Sequence, residues 1–269
     1  MINDRELDVL INDVYEYYGY DFSGYSQASF KRRVERLYSL DGFQDFSELL
    51  SKVRSDPDYF KRLVEEITVN VTEMFRDPLF YKVLRNEILP ALGTKPFIRI
   101  WHAGCSTGEE VFSMAILLKE ANLLHKSLIY ATDINPTVLE TAKKGVFPLR
   151  IMKQYSENYL ASGGKNDFSQ YYTANYGFVK FSDDLLEKTV FSQHNLVSDS
   201  SFNEFDLILC RNVLIYFDKD LQGRALELFD ASLSKLGHLA LGTKETIKFS
   251  SIQNRFQQLN KDKIWKKIK

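Results

Sequence analysis

Hydrophobic and polar positions in the first 75 residues alternate at the spacing of α-helices, and no strand pattern interrupts them. Four helices are predicted, beginning near Leu7, Gln27, Phe46 and Pro57. Proline at the start of the last one is typical of a first helical turn, where a backbone N–H group would have no partner inside the helix. We therefore predict a small all-α domain at residues 1–75.

Short hydrophobic runs alternate with helical patterns in the remainder of the chain, which we predict to be one α/β domain at residues 76–269. Strands that are each followed by a helix indicate a sheet with parallel strands and helices on both faces. Right-handed crossovers then bring the carboxyl ends of the strands, and with them the ligand, to one edge. The predicted strands lie at 97–101, 128–132, 190–192, 205–210 and 238–241, and the predicted helices at 109–118, 137–144 and 221–233.

This alternation breaks between residues 147 and 188, which we interpret as an insertion in the α/β domain. Segments 171–174 and 178–181 favour strands, and the Asn-Tyr-Gly sequence at 175–177 favours a turn between them. A small β subdomain that contains a hairpin is therefore predicted here.

Composition and charge exclude several classes of protein. The 269 residues carry a formal net charge of −1, so we expect no overall attraction to nucleic acid or to a membrane. No run reaches the ~18 uninterrupted apolar residues of a membrane span, and acidic residues in the amino-terminal run are unlike a signal peptide. Cys105 and Cys210 are too few for a disulfide framework or a zinc site, which predicts a reducing, cytoplasmic setting and no metal. His102, His125 and His238 fit no ligand pattern and are expected to be surface or packing residues.

The loop after the first predicted strand, at 103–108, is a candidate ligand site. Gly104 and Gly108 allow a ligand to approach the backbone, although two glycines also suit an ordinary tight turn. A helix amino terminus favours anions, but Glu109 and Glu110 in the following first turn would repel a pyrophosphate. They suit a positively charged ligand, such as S-adenosylmethionine with its amino group. They argue against a nicotinamide dinucleotide, and hence against an oxidoreductase that uses one.

Polar residues also follow two further predicted strands. Asp133 either accepts hydrogen bonds from ribose hydroxyls or caps the helix that begins near Asn135, and the neighbouring glycine loop favours the ribose. Arg211 and Asn212 come at the end of a hydrophobic strand, and Tyr216 follows them. Core packing explains this pair poorly, because buried polar groups need partners. We therefore place both at the ligand edge.

A stretch in which polar and apolar residues alternate, TVNVTEMFR at 68–76, joins the two regions. Its candidate ligand-binding residues are Asn70, Thr72 and Arg76. Helix capping is the simpler explanation for a lone asparagine or threonine, so that alternative stays open for the first two.

Five motifs in a fixed order resemble those of the CheR family, the methyltransferases that esterify glutamates of bacterial chemotaxis receptors. The motifs are TVNVTEMFRD (68–77), IWHAGCSTGEE (100–110), ATDIN (131–135), HNL (194–196) and CRNVLIYFD (210–218). Together with the helical amino-terminal region they cover nearly the whole chain, and their joint match is highly specific. One departure is Val111 with Phe112, where many relatives have Pro-Tyr. It is expected to alter packing more than chemistry.

The resemblance implies a fold, a cofactor and a class of partner. The implied fold is α/β, a Rossmann-like class I S-adenosylmethionine methyltransferase sheet with helices on both faces, preceded by a small all-α domain and carrying a small β insertion. The implied methyl donor is S-adenosylmethionine, the product is S-adenosylhomocysteine, and no metal takes part. The implied acceptors are the cytoplasmic helical domains of chemotaxis receptors. A cytoplasmic monomer is expected, without nucleic-acid partners and without membrane insertion.

The resemblance also implies roles for individual residues. Arg76 and Tyr216 resemble the family's residues that flank the reacting methyl group. Of the two carboxylates in the first helical turn, Glu109 is the weaker candidate for a cofactor contact, and the Asn-Leu pair at 195–196 would line the adenine. The implied cofactor-binding residues, together with Gly104 of the glycine loop, are Asn70, Thr72, Arg76, Glu110, Asp133, Asn195, Leu196, Arg211 and Asn212.

Four basic residues share one face of the second predicted helix: Lys31, Arg32, Arg33 and Arg36. The resemblance assigns this face to receptor docking, and a merely solvated helix face is the alternative. Some relatives carry, at the position of the insertion, a β subdomain that grips the carboxyl-terminal peptide of a receptor. The sequence leaves open whether this chain has such a groove.

Two other functions are compatible with the sequence. One is an S-adenosylmethionine-dependent methyltransferase that acts on another protein or on a small-molecule carboxylate, which would leave the helical domain without a receptor to bind. The other is a non-catalytic binding module that senses S-adenosylmethionine or tethers to receptors. Arg76, Asp133, Arg211 and Tyr216 together argue against it, because a retired enzyme has no need of all four.

Overall fold

The amino-terminal region is a bundle of four helices in the computed structural model, which describes residues 2–259 and 263–269. The hydrophobic faces of these helices enclose one core. Asp45 and Asp56 begin the third and fourth helices by accepting hydrogen bonds from backbone N–H groups of the first turn. The four predicted helices are confirmed as α1 (Asp4–Tyr18), α2 (Gln27–Asp41), α3 (Phe46–Ser55) and α4 (Pro57–Ile67).

A helical connection that was not predicted leads from this bundle to the sheet. It comprises α5 (Pro78–Val83), a π-helical turn (Leu84–Ile88) and α6 (Leu89–Gly93). Pro90 interrupts the hydrophobic period of this stretch in the sequence, which hides the helix. The polar stretch at 68–76 lies in the chain between α4 and this connection.

The remainder of the chain contains a larger and a smaller sheet. Its helices are α7 (Glu109–Glu120), α8 (Pro136–Lys144), α9 (Met152–Ala161) and α10 (Lys219–Ser232). Its strands are β1 (Ile98–Ala103), β2 (Ser127–Asp133), β3 (Val146–Pro148), β4 (Tyr172–Asn175), β5 (Phe178–Phe181), β6 (Thr189–Gln193), β7 (Phe205–Cys210), β8 (Leu233–Leu241), β9 (Phe256–Leu259) and β10 (Ile264–Lys267). Single 3-10 turns occur at Leu124–Lys126, Leu149–Ile151, Phe168–Tyr171, Asp183–Leu185, Leu214–Tyr216 and Gln253–Arg255.

The larger sheet has the strand order β6–β2–β1–β7–β8–β10–β9 over the described residues. The five strands from β6 to β8 are parallel, as predicted. β10 is antiparallel to both of its neighbours, and neither it nor β9 was predicted, because these stretches mix glutamine and lysine with few apolar residues. The chain order reverses between β1 and β7, which opens a crevice at their carboxyl ends. The predicted fold class is confirmed.

The smaller sheet, ordered β3–β5–β4, forms the β insertion and is antiparallel. Its predicted hairpin is confirmed, since β4 and β5 are joined through Tyr176 and Gly177. Their φ angles of 46° and 80° are those of a tight hairpin turn. α9, which precedes the hairpin, was not predicted. Within residues 2–259 and 263–269, no helix has the length and apolar character needed to cross a membrane.

Candidate active site

One cavity lies at the carboxyl ends of β1, β2, β6 and β7. It comprises about 960 Å³ of space free of protein atoms, including its mouth. The four basic residues of α2 lie outside its lining, but all residues predicted to bind the cofactor or to flank the methyl group line it. These residues are Asn70, Thr72, Arg76, Gly104, Glu110, Asp133, Asn195, Leu196, Arg211, Asn212 and Tyr216. Their individual roles stay predictions.

The polar stretch at 68–76 forms one wall of the cavity. The backbone N–H of Phe75 donates to Oγ of Ser113 at 2.9 Å, which anchors the stretch to α7. Helix α5 begins after Asp77, so neither Asn70 nor Thr72 caps a helix. The capping alternative is therefore wrong for both, and their side chains are left at the cavity wall.

Arg76 provides a cation with spare hydrogen-bonding capacity at this wall. Its guanidinium Nη1 donates to the carbonyl oxygen of Val71 at 3.2 Å, with no other hydrogen bond or ion pair among the described residues. Burial raises the pKa of Tyr216, and the positive charges of Arg33, Arg76 and Arg32 only partly oppose this. The Tyr216 hydroxyl is thus a protonated donor at neutral pH, within the electrostatic reach of three arginines.

The two carboxylates in the first turn of α7 point to different places. Glu109 is 5% exposed and does not line the cavity. Its carboxylate accepts from Oγ1 of Thr107 at 2.7 Å and from the hydroxyl of Tyr155 at 3.4 Å. Glu110 does line the cavity, in agreement with the preference stated from the sequence.

Glu110 is held between two cationic or hydrogen-donating groups. Its Oε1 lies 3.0 Å from Nδ1 of His102, and its Oε2 accepts from Nη1 of Arg211 at 3.0 Å. Burial alone would raise the pKa of Glu110, but the hydrogen bond to His102 and the charge of Arg211 hold the pKa below its usual value. An ionised carboxylate therefore faces the cavity. The sequence had led us to expect only a surface or packing residue at His102, but its imidazole also contacts Glu110.

The two terminal nitrogens of Arg211 are occupied by protein groups, whereas its Nε has no partner among the described residues. Its side chain is 2% exposed, and beyond Glu110 its Nη2 donates to Oδ2 of Asp77 at 2.7 Å and to the carbonyl oxygen of Arg76 at 3.2 Å. The guanidinium also lies 4.0 Å from the ring centre of Phe80. Arg211 thus fixes the 76–80 segment against α7, and its charge is already balanced by two carboxylates.

Asp133 ends β2 and accepts two backbone hydrogen bonds. Its Oδ2 accepts from the N–H of Ser106 at 2.9 Å and its Oδ1 from the N–H of Asn135 at 3.0 Å. Asn135, not Asp133, caps α8, through the N–H of Thr137 at 2.9 Å. Burial raises the pKa of Asp133, and the backbone donors counteract it. Each oxygen retains a second lone pair for a ligand.

The backbone conformation and the close approach of Val213 both require glycine at position 104, whatever ligand the cavity binds. Its φ of 80° favours glycine, and an added Cβ would come within 2.5 Å of Cγ2 of Val213. Gly108, with φ of 93°, is pressed in the same way against Ala142 and does not line the cavity. The two glycines therefore serve a tight turn, and only the first also faces the ligand space.

The far end of the cavity, after β6, is formed by His194, Asn195 and Leu196. Oδ1 of Asn195 accepts from the N–H of Val197 at 2.9 Å, which shapes the turn. Burial lowers the pKa of His194, so this imidazole is neutral at physiological pH. The end of the cavity after β6 is accordingly uncharged, in contrast to the end that contains Glu110.

Sequence reasoning missed Glu245, which holds the loop after β7. Its side chain is buried, and its Oε1 accepts from the N–H groups of Val213 at 2.9 Å and Leu214 at 2.8 Å. Its Oε2 accepts from the N–H groups of Asn212 at 2.9 Å and Gly242. One carboxylate thus fixes the loop that carries Asn212 and Tyr216 into the cavity. No local pattern in the sequence marks it.

Sequence reasoning also missed Tyr25, a residue of the amino-terminal region that lines the cavity. Tyr25 forms a β-bridge with Phe217, and the N–H of Ser26 donates to the carbonyl oxygen of Tyr216 at 2.8 Å. The N–H of Asp218 donates in turn to the carbonyl oxygen of Gly24 at 2.9 Å. The segment before α2 is therefore attached to the loop that carries Tyr216.

Crevices at the reversal point of a largely parallel sheet bind nucleotides beside a glycine turn and an acidic residue after the second strand. The ionised Glu110 in this crevice favours a positively charged ligand over a pyrophosphate, which is typical of class I S-adenosylmethionine-dependent methyltransferases. The chain belongs to the CheR methyltransferase family. Residues 70–265 match the model described as "CheR methyltransferase, SAM binding domain". Residues 5–68 match the model described as "CheR methyltransferase, all-alpha domain".

Named relatives match over most of their own length. A protein of Pseudomonas putida named "Putative methyltransferase Cher3" is 49% identical over 96% of this chain and 94% of the relative. The "Chemotaxis protein methyltransferase" of Borreliella burgdorferi is 32% identical over 92% of this chain and 90% of the relative. The "Chemotaxis protein methyltransferase 2" of Pseudomonas aeruginosa is 34% identical over 84% of this chain and 79% of the relative.

Four buried polar atoms belong to residues of the cavity lining and fit a polar ligand such as S-adenosylmethionine. Oγ of Ser106, Nδ1 of His194, Nε of Arg211 and Oδ1 of Asn212 have no hydrogen-bond partner among the described residues. Buried polar atoms without partners are rare in folded proteins, and a ligand that binds beside them would supply the missing hydrogen bonds. The cavity walls therefore suit the cofactor in hydrogen bonding.

Replacement of Asp133 by asparagine is expected to weaken S-adenosylhomocysteine binding about 10- to 100-fold. The amide has one acceptor oxygen in place of two, and hydrogen bonds to a charged acceptor contribute roughly 1.5–3 kcal/mol. Isothermal titration calorimetry measures the change. Asp8→Asn, a matched loss of charge at an exposed site on α1, serves as the control. Affinity within twofold of wild type would remove Asp133 from the set of ligand-binding residues.

Proposed function

We propose that this protein transfers methyl groups from S-adenosylmethionine to glutamate side chains of chemotaxis receptors, in the cytoplasm. In this proposal residues 76–269 carry the chemistry and residues 1–75 dock the receptor's helical domain. One observation carries it: Arg76, a cation with unused N–H groups, lines the cavity together with Tyr216, and the charges of Arg32 and Arg33 on α2 also act on the Tyr216 hydroxyl. The names of the relatives in Borreliella and Pseudomonas aeruginosa support a chemotaxis protein as acceptor.

The chemistry of a glutamate acceptor needs no general base. The reference pKa of a glutamate carboxyl group is ~4.3, so this nucleophile is already ionised at neutral pH. S-Adenosylmethionine, when bound, supplies a methyl group on a positively charged sulfur. Arg76 holds the acceptor carboxylate by charge-assisted hydrogen bonds, and the protonated hydroxyl of Tyr216 donates a neutral one. Both residues act by orienting the acceptor oxygen toward the donor.

The proposed reaction is tested by radiolabelled methyl transfer to purified cytoplasmic fragments of receptors. The expected product is a carboxyl methyl ester, which releases labelled methanol in alkali, whereas an N-methyl group does not. Label that withstands alkali, or no label on any receptor fragment despite S-adenosylhomocysteine binding, would reject the glutamate acceptor. The second result would favour another protein or a small-molecule carboxylate.

The four basic residues of α2 differ in how free they are to meet a partner. Lys31 forms an ion pair with Asp4 at 3.0 Å, and Arg36 pairs with Glu66 at 2.6 Å. Arg33 lies 3.8 Å from the same Glu66 carboxylate. Arg32 is exposed and forms no ion pair within the described part of the chain. Arg32 and Arg33, whose charges act on the Tyr216 hydroxyl, are thus the less firmly paired of the four.

Reversal of charge at Arg32 and Arg33, both to glutamate, is expected to raise KM for the receptor more than 10-fold and to leave KM for S-adenosylmethionine unchanged. Exposed charges act weakly one by one and are screened by salt, so the effect should shrink as ionic strength rises. The double reversal Lys188→Glu/Lys235→Glu changes the net charge equally at exposed positions near the opposite edge of the sheet. An unchanged receptor KM at low salt in the α2 variant would exclude docking on this face.

A further inference from the structure

His102 is a buried polar residue with one polar contact among the described residues. It lies one position before the end of β1, is 0% exposed, and does not line the cavity. Its Nδ1 lies 3.0 Å from Oε1 of Glu110, and its Nε2 has no partner in the described part of the chain. Because an ionised carboxylate accepts hydrogen bonds, the ring is a neutral tautomer or a cation that carries a proton on Nδ1.

The surroundings of His102 would suit an apolar residue. In the sheet it lies opposite Ala131 on one side and Leu209 on the other. A buried ring nitrogen without a partner destabilises the fold, and a leucine at this position would avoid this cost. The hydrogen bond to Glu110 offsets this cost. The role of His102 therefore depends on the function of Glu110.

Two donors from different parts of the fold fix the plane of the Glu110 carboxylate. His102 on β1 contacts one oxygen, and Arg211 after β7 donates to the other. A carboxylate has about four acceptor sites, of which these contacts use two. The remaining lone pairs of a side chain that lines the cavity are available to a ligand.

The order of strands gives the order of ligand parts along the cavity. The neutral end lies after β6, Asp133 lies after β2, and the Glu110 carboxylate lies at the β1–β7 side. A nucleoside whose ribose meets Asp133 and whose base lies at the neutral end directs its remaining substituent toward Glu110. In S-adenosylmethionine this substituent is an amino acid, and its ammonium group is the complement of an oriented carboxylate.

We propose that His102 is a positioning residue for methyl-donor binding: it holds the Glu110 carboxylate in the orientation that accepts the ammonium group of the donor's amino-acid end. The inference rests on donor binding in this cavity and is independent of the acceptor proposed above. Its distinctive consequence is selectivity. Loss of the contact should weaken ligands that have the amino-acid end and spare those that lack it.

The test compares S-adenosylhomocysteine with 5′-methylthioadenosine, which has the adenine, ribose and sulfur but no amino-acid end. In calorimetry, His102→Leu is expected to weaken S-adenosylhomocysteine about 10- to 30-fold and to leave 5′-methylthioadenosine within twofold of wild type. His102→Asn places an amide nitrogen near the position of Nδ1 and should bind both ligands as wild type does. His102→Gln, whose amide reaches the position of Nε2, should behave like the leucine variant.

A double-mutant cycle with Glu110→Gln separates positioning from a general effect on the pocket. In the Glu110→Gln background, His102→Gln should cause no further loss of S-adenosylhomocysteine affinity. Equal weakening of both ligands, additive losses in the cycle, or an asparagine variant no better than glutamine would each overturn the proposal. Failure of the wild-type protein to bind S-adenosylhomocysteine would instead reject donor binding in the cavity.

Discussion

Replacement of Arg76 by alanine is expected to lower kcat for methyl transfer about 100-fold, because the acceptor oxygen is no longer held in line with the methyl group and a misplacement of about 1 Å can cost this much. Apart from its bond to the carbonyl oxygen of Val71, the guanidinium forms no hydrogen bond or ion pair among the described residues. Its N–H groups are therefore available to an acceptor carboxylate, which would otherwise enter the cavity without a charged partner. Measurement with both substrates saturating separates this effect from changes in binding.

Two further variants make the Arg76 experiment specific. Arg76→Lys keeps the charge but not the planar pair of donors, so it should recover only part of the rate. Arg224→Ala removes the same charge from an exposed position on α10, outside the cavity lining, and should leave kcat unchanged. A kcat near the wild-type value for Arg76→Ala would contradict the role in holding the acceptor. Calorimetry with S-adenosylhomocysteine reports separately on the predicted contact of Arg76 with the cofactor.

Replacement of Glu245 by glutamine is expected to destabilise the fold by about 2–5 kcal/mol and to reduce activity with it. The carboxylate accepts four backbone N–H groups, two on each oxygen. In glutamine one oxygen becomes an NH₂ group, which faces two N–H donors and leaves them without acceptors at roughly 1–3 kcal/mol each. At about 2–4 °C per kcal/mol for a chain of this size, the melting temperature should fall by roughly 5–15 °C.

Thermal unfolding followed by circular dichroism measures the Glu245 effect. Glu204→Gln, the same change at an exposed residue, should leave the melting temperature within about 1 °C of wild type. We also expect Glu245→Gln to lose methyl transfer well below its own melting temperature, because the freed loop carries Asn212 and Tyr216. A stable variant with wild-type turnover would show that the loop keeps its shape without the carboxylate.

Much of the fold was predictable because its patterns are local. The helices of the first region show a regular hydrophobic period, and the parallel strands are short, largely hydrophobic runs. The clustering of Asp133, Arg211 and the glycine loop was predictable as well, because parallel strands end at one edge of a sheet. β9 and β10 were missed because only Phe256, Ile264 and Trp265 are buried there.

The missed parts of the site depend on contacts between residues that no local pattern connects. Glu245 acts on backbone groups some thirty residues earlier in the chain, and Tyr25 reaches the cavity from the other end of the sequence. No sequence pattern singles out His102. Its importance follows only from its contact with Glu110, eight positions later. The predicted position of Arg211 was right, but its partners could not be read from the sequence. The boundary at residue 75 stays a prediction.

The attachment of residues 24–26 to residues 216–218 matters for any attempt to redirect the enzyme by exchanging helical regions between relatives. The segment that joins a transplanted bundle to the rest of the chain must still pair with the loop that carries Tyr216. Otherwise the cavity loses the part of its wall that Tyr25 forms. A chimaera of this kind therefore needs matched sequences on both sides of the contact, at residues 24–26 and at residues 216–218. This match has to be designed before the choice of acceptor can be altered.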